Sequence, residues 1–210
     1  MFDIDPDRYR VLDLSLEVIP GASRDRFFDI TEGRLADDAL KYDVRTHTHV
    51  GTHVEAPLHF FKRGTSVTDL PLSAYMGRGI LAAFQLESDD PAITPEVLER
   101  TIGDIIRRGD IVAARNDAEA GDPPYFTPDA ARWLRDHEVK MIVVEDVRLS
   151  KDIPTGNEFH EILMSRGATF VEFASGLDQI ARREFYVMAL PIRVRGLDSA
   201  WCRLIAIEEK

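Results

Sequence analysis

The sequence predicts an α/β protein with a mixed sheet, folded as one domain over residues 1–210. Three observations carry that reading. Short β-type runs alternate with helical stretches along the chain, which calls for several non-local strand pairings with helices packed against them. At 210 residues there is enough chain for one substantial core, near the upper end of what one core serves. No repeat, low-complexity tract or flexible linker divides it: Asp122-Pro-Pro and Pro154-Thr-Gly mark loops too short to join two domains.

Strands are expected over residues 9–14, 41–47, 79–86, 111–115, 140–145, 169–172, 184–195 and 201–207. Gly77-Arg-Gly79 reads as a plain turn into the third of them. Two helices announce their starts. Thr94-Pro95-Glu96 and Thr127-Pro128-Asp129 each place a capping hydroxyl before a proline at the first helical position, with an acid near the positive end of the dipole. The first carries Val97, Leu98, Thr101, Ile102, Ile105 and Ile106 at helical spacing and is expected to run to Gly109. A third helix is expected over 157–166, with Phe159, Ile162 and Leu163 as its buried stripe and Gly167 as its stop.

Composition excludes several function classes. With 44% apolar and 30% charged residues the chain has the make-up of an ordinary globular protein. Its 26 basic and 37 acidic side chains leave a net charge of -11, a field that repels phosphate backbones and anionic membrane surfaces. Neither nucleic acid nor membrane is expected as a partner. The start of the chain is too charged for a signal peptide or a span, so the cytoplasm is the expected compartment. A single cysteine, Cys202, rules out an intrachain disulfide and, beside Trp201 and Leu204, reads as a small buried thiol.

The densest chemistry lies in His47-Thr-His-Val-Gly-Thr-His-Val-Glu-Ala-Pro-Leu-His59, which holds four of the six histidines and a carboxylate. A fully extended chain would point His47, His49, His53, Glu55 and His59 to one face, but extension alone makes no chelate. His49 and His53 would stand roughly 13 Å apart at about 3.3 Å per residue. Two nitrogens on one zinc-sized ion, each about 2.1 Å from it, lie within about 4 Å of each other. Gly51, the β-branched residues and Pro57 argue against a helix, so a bend at Gly51-Thr52 is the remaining way to fold His53 and Glu55 back toward His49. His59, beyond the Ala56-Pro57 corner, would then face the same centre. One histidine on a polar strand is ordinarily solvated, whereas His-x3-His-x-Glu-x3-His is a ligand set for zinc, manganese or iron. His47 reads as an outer or exposed member.

Of the other two histidines, His137 sits at a helix end and reads as a partner of the dipole. His160 begins a helical turn, and twelve residues later Glu172 closes a β-type run among Phe170, Val171 and Phe173. Burying that carboxylate is costly unless a cation or hydrogen bonds compensate it.

The string HVGTHVEAPLHF resembles the signature His-x-Gly-Thr-His-x-Asp-Ala-Pro-x-His-Phe of the cyclase-like metal-dependent hydrolases, the family of bacterial kynurenine formamidase and isatin hydrolase. VLDLSLEVIPG, GTSVTDLPL, GDIVAARN, WLRDHEVKMIVVED, GLDQI and MALPIRVRGLDSAWCRLIAI extend the likeness over nearly the whole chain. The resemblance implies a swivelling β/β/α fold, assembly as a homodimer or homotetramer, and a divalent Zn2+ or Mn2+ cofactor. It places metal ligands on His49, His53 and Glu55, a second metal position on His160 and Glu172, and the catalytic role on His59. It also implies hydrolysis of a non-peptide C–N bond in a small aromatic or cyclic amide, in the manner of an arylformamidase. Glu55 stands where the family has aspartate, which bridges two zinc ions in kynurenine formamidase. The extra methylene moves the carboxylate by about 1 to 1.5 Å, so the sequence leaves one ion or two open. Residues 144–147, Val-Glu-Asp-Val, also depart from the usual Gly-x-Asp-Thr/Ser-Pro and leave that wall of the pocket undefined.

No Gly-x-Ser-x-Gly elbow, phosphate-binding glycine loop or dinucleotide fingerprint is present, and Cys202 has no histidine nearby in sequence to serve as its base. Two competing readings remain: a metal-containing protein that binds a small ligand without turnover, and a lyase or dehydratase using the same ion. Phe60, Phe61 and Tyr75 are candidates for aromatic contacts, with core packing as the alternative, and Arg115-Asn-Asp117 is a candidate pocket wall.

Overall fold

In the computed structural model, which describes residues 5–210, the sheet bends round until it meets itself. Its strands are β1 (Tyr9–Asp13), β4 (His53–Glu55), β5 (Met76–Phe84), β7 (Ile111–Asn116), β9 (Met141–Glu145), β10 (Thr169–Glu172), β11 (Glu184–Pro191) and β12 (Ser199–Glu209). A hairpin of β2 (Phe28–Arg34) with β3 (Leu40–Thr46), and a short parallel pair, β6 (Ala92–Ile93) with β8 (Tyr125–Phe126), stand apart from it. The order in the main sheet is β1-β12-β11-β5-β7-β9-β10-β4, and β4 pairs again with β12. That second pairing closes a ring, with β1 appended along the far part of β12. Strands β5, β7, β9 and β10 run parallel and the remaining contacts in the ring are antiparallel, so the sheet is mixed as expected.

The central strands are apolar on both faces, as parallel strands covered on each side must be. In β7, Ile111 and Ala113 join the barrel interior with Val54, Met141, Val143, Val171, Val187 and Leu204. Their neighbours Val112 and Ala114 turn outward against helices α1 (Pro95–Ile102), α2 (Pro128–Asp136) and α3 (Ile153–Met164). There Leu98, Ile102, Leu134, Phe159 and Leu163 build a second core. Thr94 and Thr127 cap α1 and α2, each hydroxyl accepting a backbone N–H of the first turn. No helix among the described residues is long and apolar enough to cross a membrane.

Several boundaries differ from expectation. α1 ends at Ile102 rather than near Gly109: Gly103 caps it, and Ile105 and Ile106 both donate to the Ile102 carbonyl in a tight turn that keeps them packed on the core. α3 begins at Ile153, not 157, so Pro154-Thr-Gly156 is its first turn instead of a loop. Asp152 and Thr155 form a reciprocal capping box, and a proline there lacks only an N–H that would go unused. Gly77 and Gly79 lie inside β5 rather than in a turn; a Cβ on Gly79 would run into Val187 and Phe185 of β11. β11 stops at Pro191, four residues short: Ile192 still donates to the Trp201 carbonyl, but Val194 then folds back onto the Ile192 carbonyl and the chain leaves the ladder.

Candidate metal centre

Pairing on both edges fixes which way each side chain of β4 points. Val54 enters the barrel interior, so His53 and Glu55 point outward, to the helix side. The same alternation on β10 sends Val171 inward and Phe170 and Glu172 outward. His53 stands directly opposite Glu172, and Glu55 opposite Phe170.

The chain enters β4 through a bend. Gly51 has φ 63°, and a Cβ there would collide with Val18. Thr52 secures the bend: its hydroxyl donates to the Phe173 carbonyl at 2.6 Å and accepts the Leu16 N–H at 2.7 Å. As a result His49 returns over Glu55, with Nδ1 2.8 Å from Oε1. His53 Nε2 lies 3.4 Å from that same oxygen and 3.8 Å from Glu172 Oε2. Past β4, the single turn Pro57–His59 brings His59 Nε2 to 3.8 Å from Glu55 Oε1. From α3, His160 Nε2 reaches to 3.7 Å from Glu55 Oε2.

Five of the residues singled out from sequence therefore gather round a sixth, Glu55. His47 stays outside, accepting the His49 N–H on its ring at 3.2 Å. His137 caps α2, with Nδ1 2.8 Å from the Trp133 carbonyl. Phe60 stacks on His160 with ring centres 4.6 Å apart, and Phe61 packs on the helix-side core. Tyr75 is buried in the barrel and donates to the Val67 carbonyl, so it makes no wall of the site. Arg115 pairs with Asp117 and holds the Leu177 carbonyl. Glu145 accepts the Gly176 and Leu177 N–H groups, at 2.6 Å each, and thereby fixes the turn after β10. Burial pushes the Cys202 thiol up to about 12, in keeping with an inert thiol.

Two contributors escaped the sequence reading. Asp198, from the turn before β12, puts Oδ2 3.0 Å from His49 Nε2 and 2.9 Å from His59 Nδ1. Arg26 donates to the His49 carbonyl at 2.7 Å and lies over the Phe173 ring at 4.4 Å. A cleft of about 610 Å³ opens beside the cluster, bordered by Arg26, Val144, Arg148, His160, Glu172 and Phe173.

Hydrogen bonds orient the rings. The Gly51 carbonyl is 2.8 Å from His53 Nδ1, and the Gly156 carbonyl 2.7 Å from His160 Nδ1. A carbonyl only accepts, so each Nδ1 carries a hydrogen and each ring turns its Nε2 toward the centre, the orientation that serves a metal ligand. Charge is distributed unevenly. Burial alone would raise the Glu55 carboxyl, but bonds from His49 and His53 and the nearby His59 and His160 hold it far below the ordinary range. Glu172 goes the other way, raised by burial and by the charge of Glu55. Burial lowers His160, while the bond to Glu55 raises His49.

Among the described residues, two sets of atoms have the spacing to hold a cation: His49, Glu55 and His59, and His53, Glu55 and Glu172, each set lying within 4.8 Å. Both share Glu55, whose Oε2 is buried and has no hydrogen-bond partner. An orphaned carboxylate oxygen amid imidazole nitrogens fits a divalent ion of the zinc or manganese type.

The family described as “Putative cyclase” matches residues 12–150, more than half of the chain. Kynurenine formamidase of Paracidovorax citrulli is 27% identical, over 75% of this chain and 74% of that protein. Kynurenine formamidase of Salinibacter ruber is 26% identical over 77% of each. Among solved structures, isatin hydrolase A from Labrenzia aggregata, bound to benzyl benzoate, superposes with a TM-score of 0.78 at 20% identity, covering 96% of this chain and 94% of that one. A protein described as a predicted metal-dependent hydrolase, from Bacillus stearothermophilus, gives 0.74 at 22% identity, covering 95% and 98%. These structural likenesses establish the shared fold.

Proposed function

The chain belongs to the family described as “Putative cyclase”, and from that premise we propose that it is a metal-dependent amidohydrolase cleaving a non-peptide C–N bond in a small aromatic or cyclic amide. The observation that carries this reading is the gathering of four imidazoles and Glu172 around Glu55, whose inner oxygen has no partner of its own. The names of the relatives, kynurenine formamidase and isatin hydrolase, support an amide as the bond cut.

In this reading His49, His53 and Glu55 would hold an ion, and His160 and Glu172 would serve a second position beside Glu55. A bound divalent ion supplies Lewis acidity, which activates water at neutral pH and polarises a carbonyl. His59, whose ring reaches solvent and whose Nε2 faces the cluster, takes the proton of the attacking water and returns it to the leaving nitrogen. The products are an amine and a carboxylic acid. Phe60 fixes the plane of His160 by stacking, and Phe173 lines the cleft through which a flat substrate enters. The whole chain, residues 1–210, acts as one domain in the cytoplasm, as a homodimer or homotetramer, with a small molecule as its substrate.

The test is an assay of zinc- and manganese-loaded protein on an N-formyl aromatic amine and a cyclic aryl amide, with products identified by mass spectrometry. Metal-dependent release of amine and acid, lost on chelation and restored by the ion, is expected. Full turnover by metal-free protein, or products of elimination instead of hydrolysis, contradicts the proposal.

A further inference from the structure

Each of the four imidazoles in the cluster has one nitrogen facing Glu55 and the other tied down on the outside. For His53 and His160 the outer partner is a backbone carbonyl, of Gly51 and Gly156. For His49 and His59 it is one atom, Oδ2 of Asp198, at 3.0 Å from His49 Nε2 and 2.9 Å from His59 Nδ1. The two rings lie side by side, with centres 4.6 Å apart, and span the gap between Asp198 outside and Glu55 inside.

An ionised carboxylate accepts and cannot donate, so both nitrogens that face it carry hydrogen. The backbone keeps the carboxylate in place. The Asp198 carbonyl accepts the Ala56 N–H at 2.8 Å, the Leu197 carbonyl accepts the Val67 N–H at 3.0 Å, and the next residue, Ser199, is the strand partner of Glu55. Asp198 is thus anchored to the segment that carries Glu55 and His59, although 139 residues separate it from His59 in sequence.

We propose that Asp198 is a positioning residue that holds two imidazoles with a single oxygen, seating the His49 ring against Glu55 and fixing the His59 tautomer that leaves Nε2 bare toward the centre. The first ring is then held where it would meet an ion, and the second is ready to accept a proton. This rests on the assignment of His59 as the proton carrier. Without Asp198 both rings are free to turn, and His59 is free to move hydrogen to its inner nitrogen, where it blocks proton transfer.

The experiment compares wild type with Asp198→Asn and Asp198→Ala, using ring-15N histidine and long-range proton–nitrogen correlation spectra of metal-free and zinc-loaded protein. Zinc titration and steady-state kinetics on an N-formyl aromatic amine accompany the spectra. In wild type His59 is expected as the Nδ1–H form, and in the alanine variant as a mixture containing Nε2–H. Zinc affinity and kcat are expected to fall about 10- to 100-fold with KM little changed. Asparagine, whose amide oxygen still accepts from Nδ1–H, is expected to recover part of the loss. Unchanged ring signals in Asp198→Ala, or an asparagine variant no better than alanine, overturns the proposal. Should no amide be turned over by wild type, the hydrolase reading fails, and the ring signals and zinc affinity still decide the role of Asp198.

Discussion

His53 and Glu172 face each other directly across the β4–β10 ladder, with Nε2 and Oε2 3.8 Å apart. One residue comes from the histidine-rich stretch and the other from a strand more than a hundred positions later, so sheet closure itself assembles the candidate centre. His53 is fully buried, and its Nδ1 is committed to the Gly51 carbonyl. His53→Ala is therefore expected to abolish retention of zinc or manganese through purification, as read by elemental analysis. His59→Ala, at a ring that reaches solvent, is expected to keep the metal and lose most of the turnover, by a factor of about 10² to 10⁴. Metal retention by the first variant, or full activity in the second, refutes the division of roles.

Glu55 carries one methylene more than the family's aspartate, and its two oxygens face different histidines, Oε1 toward His49 and Oε2 toward His160. Glu55→Asp shortens the reach while retaining the charge. A change in ions bound per chain or in rate is expected, with the melting temperature close to wild type. Equal stoichiometry and equal rate would make the extra methylene neutral.

Far from the site, Glu208 is buried against Arg10 and the backbone N–H groups of Ala181 and Arg182, at 3.1 and 2.9 Å. Burial alone would raise its carboxyl, but these bonds bring it below the ordinary 4.5. A carboxyl lowered on folding stabilises fully above its unfolded pKa, and the contribution fades as pH falls through the folded value. Glu208→Gln is thus expected to cost about 1–3 kcal/mol at neutral pH, and the gap from wild type should narrow on acidification below 4.5. Denaturant melts at several pH values check this; a gap independent of pH contradicts it.

Phe159 is fully buried between Phe126 and Phe170, with ring centres 5.1 and 5.7 Å away. It precedes His160, so α3 is seated on the core by the residue beside the candidate ligand. Phe159→Ala is expected to destabilise the protein by about 3–5 kcal/mol and to weaken zinc binding as the His160 ring loses its seat. Stability loss with zinc affinity unchanged would separate the helix from the site.

What was legible in the sequence was local. The spacing of His49, His53, Glu55 and His59 around Gly51 could be read as a bent ligand string because all its parts lie within a few residues. The Thr-Pro-acid starts of α1 and α2 were likewise self-contained. Asp198 was missed because it meets His59 only through the β12–β4 pairing; the one signal was an aspartate in a Gly196-Leu-Asp turn just before a strand. β2 was missed because it stands on a largely exposed hairpin, where no apolar alternation marks a buried face. The start of α3 was hidden by Pro154 and Gly156, whose turn-forming reputation masked the Asp152–Thr155 box.

Anomalous diffraction at the zinc and manganese edges from crystals of the purified protein decides whether the cluster around Glu55 holds an ion. A peak is expected within bonding distance of His53 Nε2 and the Glu55 carboxylate, on the outer face of β4. A featureless map there after soaking in either ion, with neither binding in solution, would contradict it.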